Sequence, residues 1–176
     1  VPLLSHKYPR AVFFFFFSLG RIGFQDAVAP ILSMLERNND QDVYLRHAGV
    51  LALSRIGLEG PVTALVDNPS RALRTAAVLV LRRMKSEKVA LFLQDKDEYI
   101  VAEAARAIND DLSIEKALPA LAATLSETRF LSEPLLRRGI NACLRVGGEK
   151  EMDILISFAN RKDLPAPMRA EALATL

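Results

Sequence analysis

Apolar side chains recur along this chain at helical spacing, and the recurrence itself repeats. In the segment Leu45-Arg46-His47-Ala48-Gly49-Val50-Leu51-Ala52-Leu53-Ser54-Arg55-Ile56-Gly57, Leu53 lies seven residues beyond Arg46 and Ile56 ten beyond it. The same frame matches Val12, Leu19 and Ile22; Arg74, Leu81 and Met84; Val101, Ile108 and Asp111; Leu136, Cys143 and Val146; and Arg169 with Leu176. The reference positions stand 34, 28, 27, 35 and 33 residues apart, within the range of helical repeats. Offsets of three, seven and ten keep side chains on one helical face, so each segment predicts an amphipathic helix. Asp111 breaks the apolar set, so the fourth unit is expected to end its first helix differently. Three residues after each reference position lie Gly49, Ala77, Ala104, Gly139 and Ala172. Their small size predicts close approach by a neighbouring helix; Phe15 takes that place in the first unit.

Helix ends are written in the same frame. Four residues before a reference position lie Asp42, Ser70, Asp97 and Ser132, whose side-chain oxygens suit an N-cap. Pro9, Pro134 and Pro165 fall near other helix starts, where a missing amide proton costs little. Gly23, Gly57 and Gly147 fall near the ends, where a left-handed cap is expected.

A second apolar run follows each first helix: Ala27 to Leu35, Val62 to Val66, Val89 to Leu93, Ala117 to Leu125 and Met152 to Phe158. Pairing them predicts helical hairpins over residues 7–38, 42–68, 70–95, 97–128 and 132–160, with an incomplete unit at 165–176. One hairpin cannot bury its inner face alone, so the hairpins are expected to stack around a continuous core. Phe13 through Phe17 cover every face of the first helix. Such a helix needs cover on its outer side, from residues upstream of this span or from a partner.

Composition agrees with helices. Residues classed as hydrophobic make up 51%, aromatics only 7%, and Trp is absent. The balance of 23 basic and 21 acidic residues gives no support to a nucleic-acid partner unless a local patch supplies it. Cys143 is the single cysteine, which excludes an internal disulfide and Cys-paired metal or haem motifs within this span. No apolar run approaches the roughly 20 residues needed to cross a bilayer. The opening Val1-Pro2-Leu3-Leu4-Ser5 lacks an initiator Met and a signal-peptide pattern, and Ala172 to Leu176 stop within a helical pattern. An excerpt of a longer protein is therefore expected.

The segments Leu45 to Gly57 and Val12 to Gly23 resemble HEAT repeats, particularly the short bacterial kind named after phycobilisome lyases. The resemblance covers nearly the whole chain and implies an all-α fold, a right-handed α-solenoid of about five to six HEAT-like hairpins. The Phe-rich first unit is similar to repeats in large secreted bacterial proteins that join a dehydrogenase-like propeller to a cytochrome c domain. Their haem motif is absent here, since Leu144 and Arg145 follow Cys143. The His-Glu pairs of HEAT-like metal hydroxylases are absent too, with Lys7 after His6 and Ala48 after His47.

Candidate sites follow from the repeat. Nine residues after the reference positions lie Arg21, Arg55, Arg83 and Arg145, with Asp110 in the fourth unit. Stacking would align them into a broken basic ridge able to hold phosphates or an acidic partner; the alternative is a set of solvated arginines favoured by the helix dipole. Arg46, Arg74 and Arg169 sit where the dipole disfavours a cation, which suggests structural bracing with carboxylates such as Asp42, Asp67 or Asp97. The cluster of Asp95, Asp97, Glu98, Glu103, Asp110 and Asp111 is rich in carboxylates, but Asp97 already has a capping role. No catalytic, metal, cofactor or small-molecule site is expected.

Two functions fit this pattern. One is a scaffold that binds proteins or neighbouring domains of its own chain, with the connections Glu36 to Gln41 and Glu127 to Leu131 as specificity elements. The other is the repeat region of a larger enzyme, either a redox protein with a c-type haem domain or a DNA-repair protein. The compartment would be cytoplasmic for a free scaffold and periplasmic or secreted for a haem-bearing host.

Overall fold

The computed structural model describes residues 9–110, 114–127 and 129–176. Asp111, His6 and the Val1 to Ser5 opening lie outside them. Among the described residues every regular element is a helix. They form two compact units, divided between Ser86 and Glu87. This boundary falls inside the span 70–95, between a first helix and the run that follows it.

The first unit contains α1 (Pro9–Ile22), α2 (Val28–Asn38), α3 (Val43–Ile56), α4 (Glu59–Thr63) and α5 (Arg71–Met84). The helices α1, α3 and α5 are each 14 residues long. Within this unit α3 packs against both α1 and α5, while α2 packs on α3 and α5. Leu19, Leu53 and Leu81 are all buried, as their matched places require. Ile22 departs from the pattern: it is the last residue of α1 and stands 73% exposed, whereas Ile56 at the equivalent place in α3 is buried.

One close approach sets the packing of α1 on α3. A Cβ on Gly20 would lie 2.8 Å from the Cα of Ala52, so α1 and α3 touch backbone to backbone. Gly20 and Ala52 both lie in the C-terminal halves of their helices. The five-Phe run is divided accordingly. Phe16 is fully buried, Phe13, Phe15 and Phe17 are half-buried, and Phe14 is exposed with its ring edge-on to Phe13 at 5.5 Å.

The second unit opens with a 3-10 helix at Glu87–Gln94, followed by α6 (Glu98–Asn109), α7 (Leu118–Ala123), α8 (Glu133–Val146), α9 (Glu149–Asn160) and α10 (Ala166–Thr175). Short 3-10 turns flank α7 at Glu115–Ala117 and Thr124–Glu127. Val89 and Phe92 explain the 3-10 form of the opening run. Residues three apart eclipse in that helix, and both side chains are fully buried. In this unit α8 packs on α6, α7, α9 and α10. Ile108, Cys143, Gly139, Ala104 and Ala172 are buried as the frame predicts, whereas Leu176 is 52% exposed.

Capping follows the sequence closely, with one departure. The Asp42 carboxylate accepts from the Tyr44 and Leu45 amides, Ser70 Oγ from Leu73, and Asp97 from Tyr99. Ser132 holds the N-cap position of α8 but its hydroxyl accepts no capping bond; its own amide donates to Glu98 Oε1 instead. Gly23, Gly57 and Gly147 all have positive φ. Lys85 does the same work after α5 with φ 56°, its amide donating to the Arg82 carbonyl while that of Ser86 donates to Leu81.

Candidate interaction edge

In the first unit Arg21, Arg55 and Arg83 occupy the same place, the thirteenth residue of a 14-residue helix. The turn that follows each helix is closed by backbone bonds such as Gly57 amide to Leu53 carbonyl, so the arginine side chains are not needed as caps. The helix dipole favours a cation at this end, which accounts for their tolerance there without using up their hydrogen-bonding capacity. All three are exposed. Arg55 is oriented by the aromatic ring of Phe17, its guanidinium carbon 4.6 Å from the ring centroid, an attraction between a cation and the negative ring face. Among the described residues, no ion pair includes Arg21, Arg55 or Arg83.

Arg145 has the same helical position but a different environment, in the second unit. It is half-buried, and Nη1 donates to the Asn109 carbonyl at 3.2 Å, tying the end of α8 to the end of α6. Other arginines of that unit are similarly engaged. Arg138 grips Asp110 with two hydrogen bonds of 2.8 and 2.9 Å, Arg137 meets Glu171 at 3.0 Å, and Arg106 lies between Glu103 and Asp110. The Arg138 guanidinium holds the Asp110 carboxyl below its ordinary range. Arg129 donates to the carbonyls of Gln94 and Asp95. It borders a cleft of about 320 Å³ with Leu93, Val101, Phe130 and Leu135, beside the connection expected to carry specificity.

Sequence reasoning missed Arg138 and Arg129, because both act on partners 28 to 35 residues away and neither recurs in the repeat frame. The three arginines suspected of bracing have distinct surroundings. Arg46 meets Asp40 at 3.4 Å, while Asp42 is occupied as a cap. Arg74 is buried and donates to the Asn68 and Pro69 carbonyls at 2.7 and 3.3 Å, holding the turn before α5. Arg169 has a buried Nε with no hydrogen-bond partner among the described residues.

Asp95, Asp97, Glu98 and Asp110 of the carboxylate cluster are occupied by structural bonds. Asp95 accepts from the Asp97 amide, Asp97 from Tyr99, Glu98 from Ser132, and Asp110 from Arg138. Cys143 is buried beside Glu151, and burial first, then that charge, pushes its thiol up to about 11. Among the described residues no group of three His, Cys, Asp or Glu converges as a metal site would require, and no helix is long and apolar enough to cross a membrane.

Neither a family model nor a curated protein matches this sequence. Among solved structures, a designed armadillo repeat protein in complex with peptide (KR)4 is similar over 99% of this chain and 95% of its own, with a TM-score of 0.52 and 16% identity. The fold is an α-solenoid. At that identity the likeness concerns architecture alone, and the solenoid's chemistry has to be read from its own side chains.

Proposed function

We propose that this α-solenoid is a non-catalytic scaffold that binds a protein segment, or a neighbouring domain of its own chain, along the edge formed by Arg21, Arg55 and Arg83. One observation carries the reading: three arginines share one register on successively packed helices, and among the described residues no ion pair includes them. Exposed, uncompensated charge at repeated spacing offers a partner both long-range attraction and a defined register. The designed armadillo protein is described with a peptide bound, which supports peptide binding as a use for such an architecture.

The test is affinity capture with the intact chain and with an Arg21→Glu/Arg55→Glu/Arg83→Glu variant, with circular dichroism as a check on helicity. Loss of captured protein at unchanged helicity supports the edge. Equal capture by both removes it.

A further inference from the structure

We infer that the segment recognised by the Arg21, Arg55 and Arg83 edge is acidic and extended, with a carboxylate at every third residue in polyproline II conformation. The inference rests on the scaffold reading above and adds to it the chemistry and spacing of the partner.

The sign of the partner follows from charge. Residues 1–86 carry eleven basic and six acidic side chains, a formal +5, against twelve and fifteen in residues 87–176, a formal −3. The near-neutral total therefore conceals a strongly basic first unit. Of its six carboxylates, Asp40 is engaged with Arg46, Asp42 caps α3, and Glu59 is half-buried with a partner of its own. Asp26, just beyond Arg21, and Glu36 and Asp67 are exposed, while Lys85 adds a further cation beyond Arg83. The excess at this edge remains positive.

The spacing follows from helix packing. The helices α1 and α3 are in backbone contact at Gly20 and Ala52, near the ends that carry Arg21 and Arg55, and α5 packs on α3. Packed helix axes stand about 8–10 Å apart, so arginines at one helical position recur at about that interval. A polyproline II segment has three residues per turn and a rise of about 3.1 Å; residues i, i+3 and i+6 thus lie on one side, about 9.3 Å apart. A β-strand matches less well, because its same-face residues recur at about 6.6 Å or, for alternate ones, about 13 Å. Arg55, steadied on the Phe17 ring, is the central and best ordered contact. Guanidinium groups also favour carboxylates through paired hydrogen bonds.

Three fluorescein-labelled peptides of identical composition test this against the intact chain by fluorescence anisotropy at low salt: four repeats of Glu-Pro-Pro, the same four Glu in one block followed by eight Pro, and four alternating Glu-Pro pairs followed by four Pro. The regularly spaced peptide is expected to bind at least about fivefold more tightly than either isomer. Raising NaCl from 50 to 500 mM is expected to weaken it about tenfold or more, because exposed charges are screened. Arg55→Glu should reduce affinity more than Arg21→Glu, and the triple reversal should abolish binding, while Lys162→Glu in the second unit should leave it unchanged. Equal affinity for the three isomers would overturn the spacing and leave the basic edge standing. Binding unaltered by the triple reversal, or no binding of any acidic peptide at 50 mM NaCl, would overturn the acidic-partner inference; capture of cellular protein that still depended on the three arginines would then keep the scaffold reading alone. Tighter binding of a twelve-residue oligothymidylate at the same arginines would overturn it in favour of nucleic acid.

Discussion

Leu35 occupies the space that a side chain on Gly49 would need: a Cβ there would come within 2.8 Å of Leu35 Cδ2 and 3.0 Å of its Cγ. Leu125 and Gly139 repeat the relationship in the second unit, at 2.7 and 2.8 Å. In both pairs a leucine from the second helical run of one hairpin fills the notch left by a glycine in the next first helix. Helix propensity alone favours Ala over Gly by about 1 kcal/mol, whereas overfilling a packed core costs about 1–3 kcal/mol. Gly49→Ala is therefore expected to destabilise the chain by about 1 kcal/mol in urea titrations, and to be neutral or stabilising when Leu35 is also changed to Ala. The double-mutant cycle reads that coupling directly; an additive result would refute it.

Gly20→Ala should be the more damaging glycine substitution. Its Cβ would meet the Ala52 backbone, and no single side-chain truncation can make room. We expect a loss above about 2 kcal/mol, with no recovery in an Ala52→Gly background, because the Cα remains. Full recovery in that background would show that the Ala52 methyl group was the obstacle.

N-cap substitutions should separate two positions that look alike in sequence. Asp42→Ala removes an acceptor for two amides and is expected to cost about 1 kcal/mol. Ser132→Ala removes no capping bond and should change stability by less than about 0.5 kcal/mol. Thermal melts of the two variants compare them, and equal losses would contradict the difference in bonding.

The Asp110 and Arg138 pair should leave a mark on acid stability. The folded-state pKa of Asp110 lies below its usual value of 3.8. The unfolded chain therefore takes up the proton first as the pH falls, and the contribution is present at neutral pH and disappears below the folded-state value. The pair is partly exposed, so about 1 kcal/mol or less is at stake. Asp110→Asn should melt a few degrees lower than the parent at pH 7, and the gap should narrow as the pH falls below 3.8. A gap that did not narrow would mean that the loss is not one of charge.

Cys143 should behave as an apolar side chain. With its pKa near 11, only about one molecule in a thousand carries a thiolate at pH 8, and burial blocks access besides. Iodoacetamide is expected to label the native chain at that pH far more slowly than the urea-unfolded chain. Comparable rates would place the thiol at the surface.

What the sequence determines by itself is local and periodic. Helical repeats at Leu19, Leu53 and Leu81, glycine at positions 23, 57 and 147, and a cap at Asp42 or Asp97 depend on neighbours within a turn or two, so spacing alone reveals them. The small residues at 49 and 139 announce a close approach, but not that Leu35 and Leu125 make it. Only the tertiary structure decides how matched positions diverge. Arg55 and Arg145 share one place in the repeat, yet one lies over Phe17 and the other is fastened to Asn109. Ser70 and Ser132 share another, yet only Ser70 caps. The physical reason is that a hydrogen bond or ion pair forms within about 3 to 4 Å. Which groups come that close across some 30 residues of chain is set by the way helices stack, and helical periodicity carries no record of it.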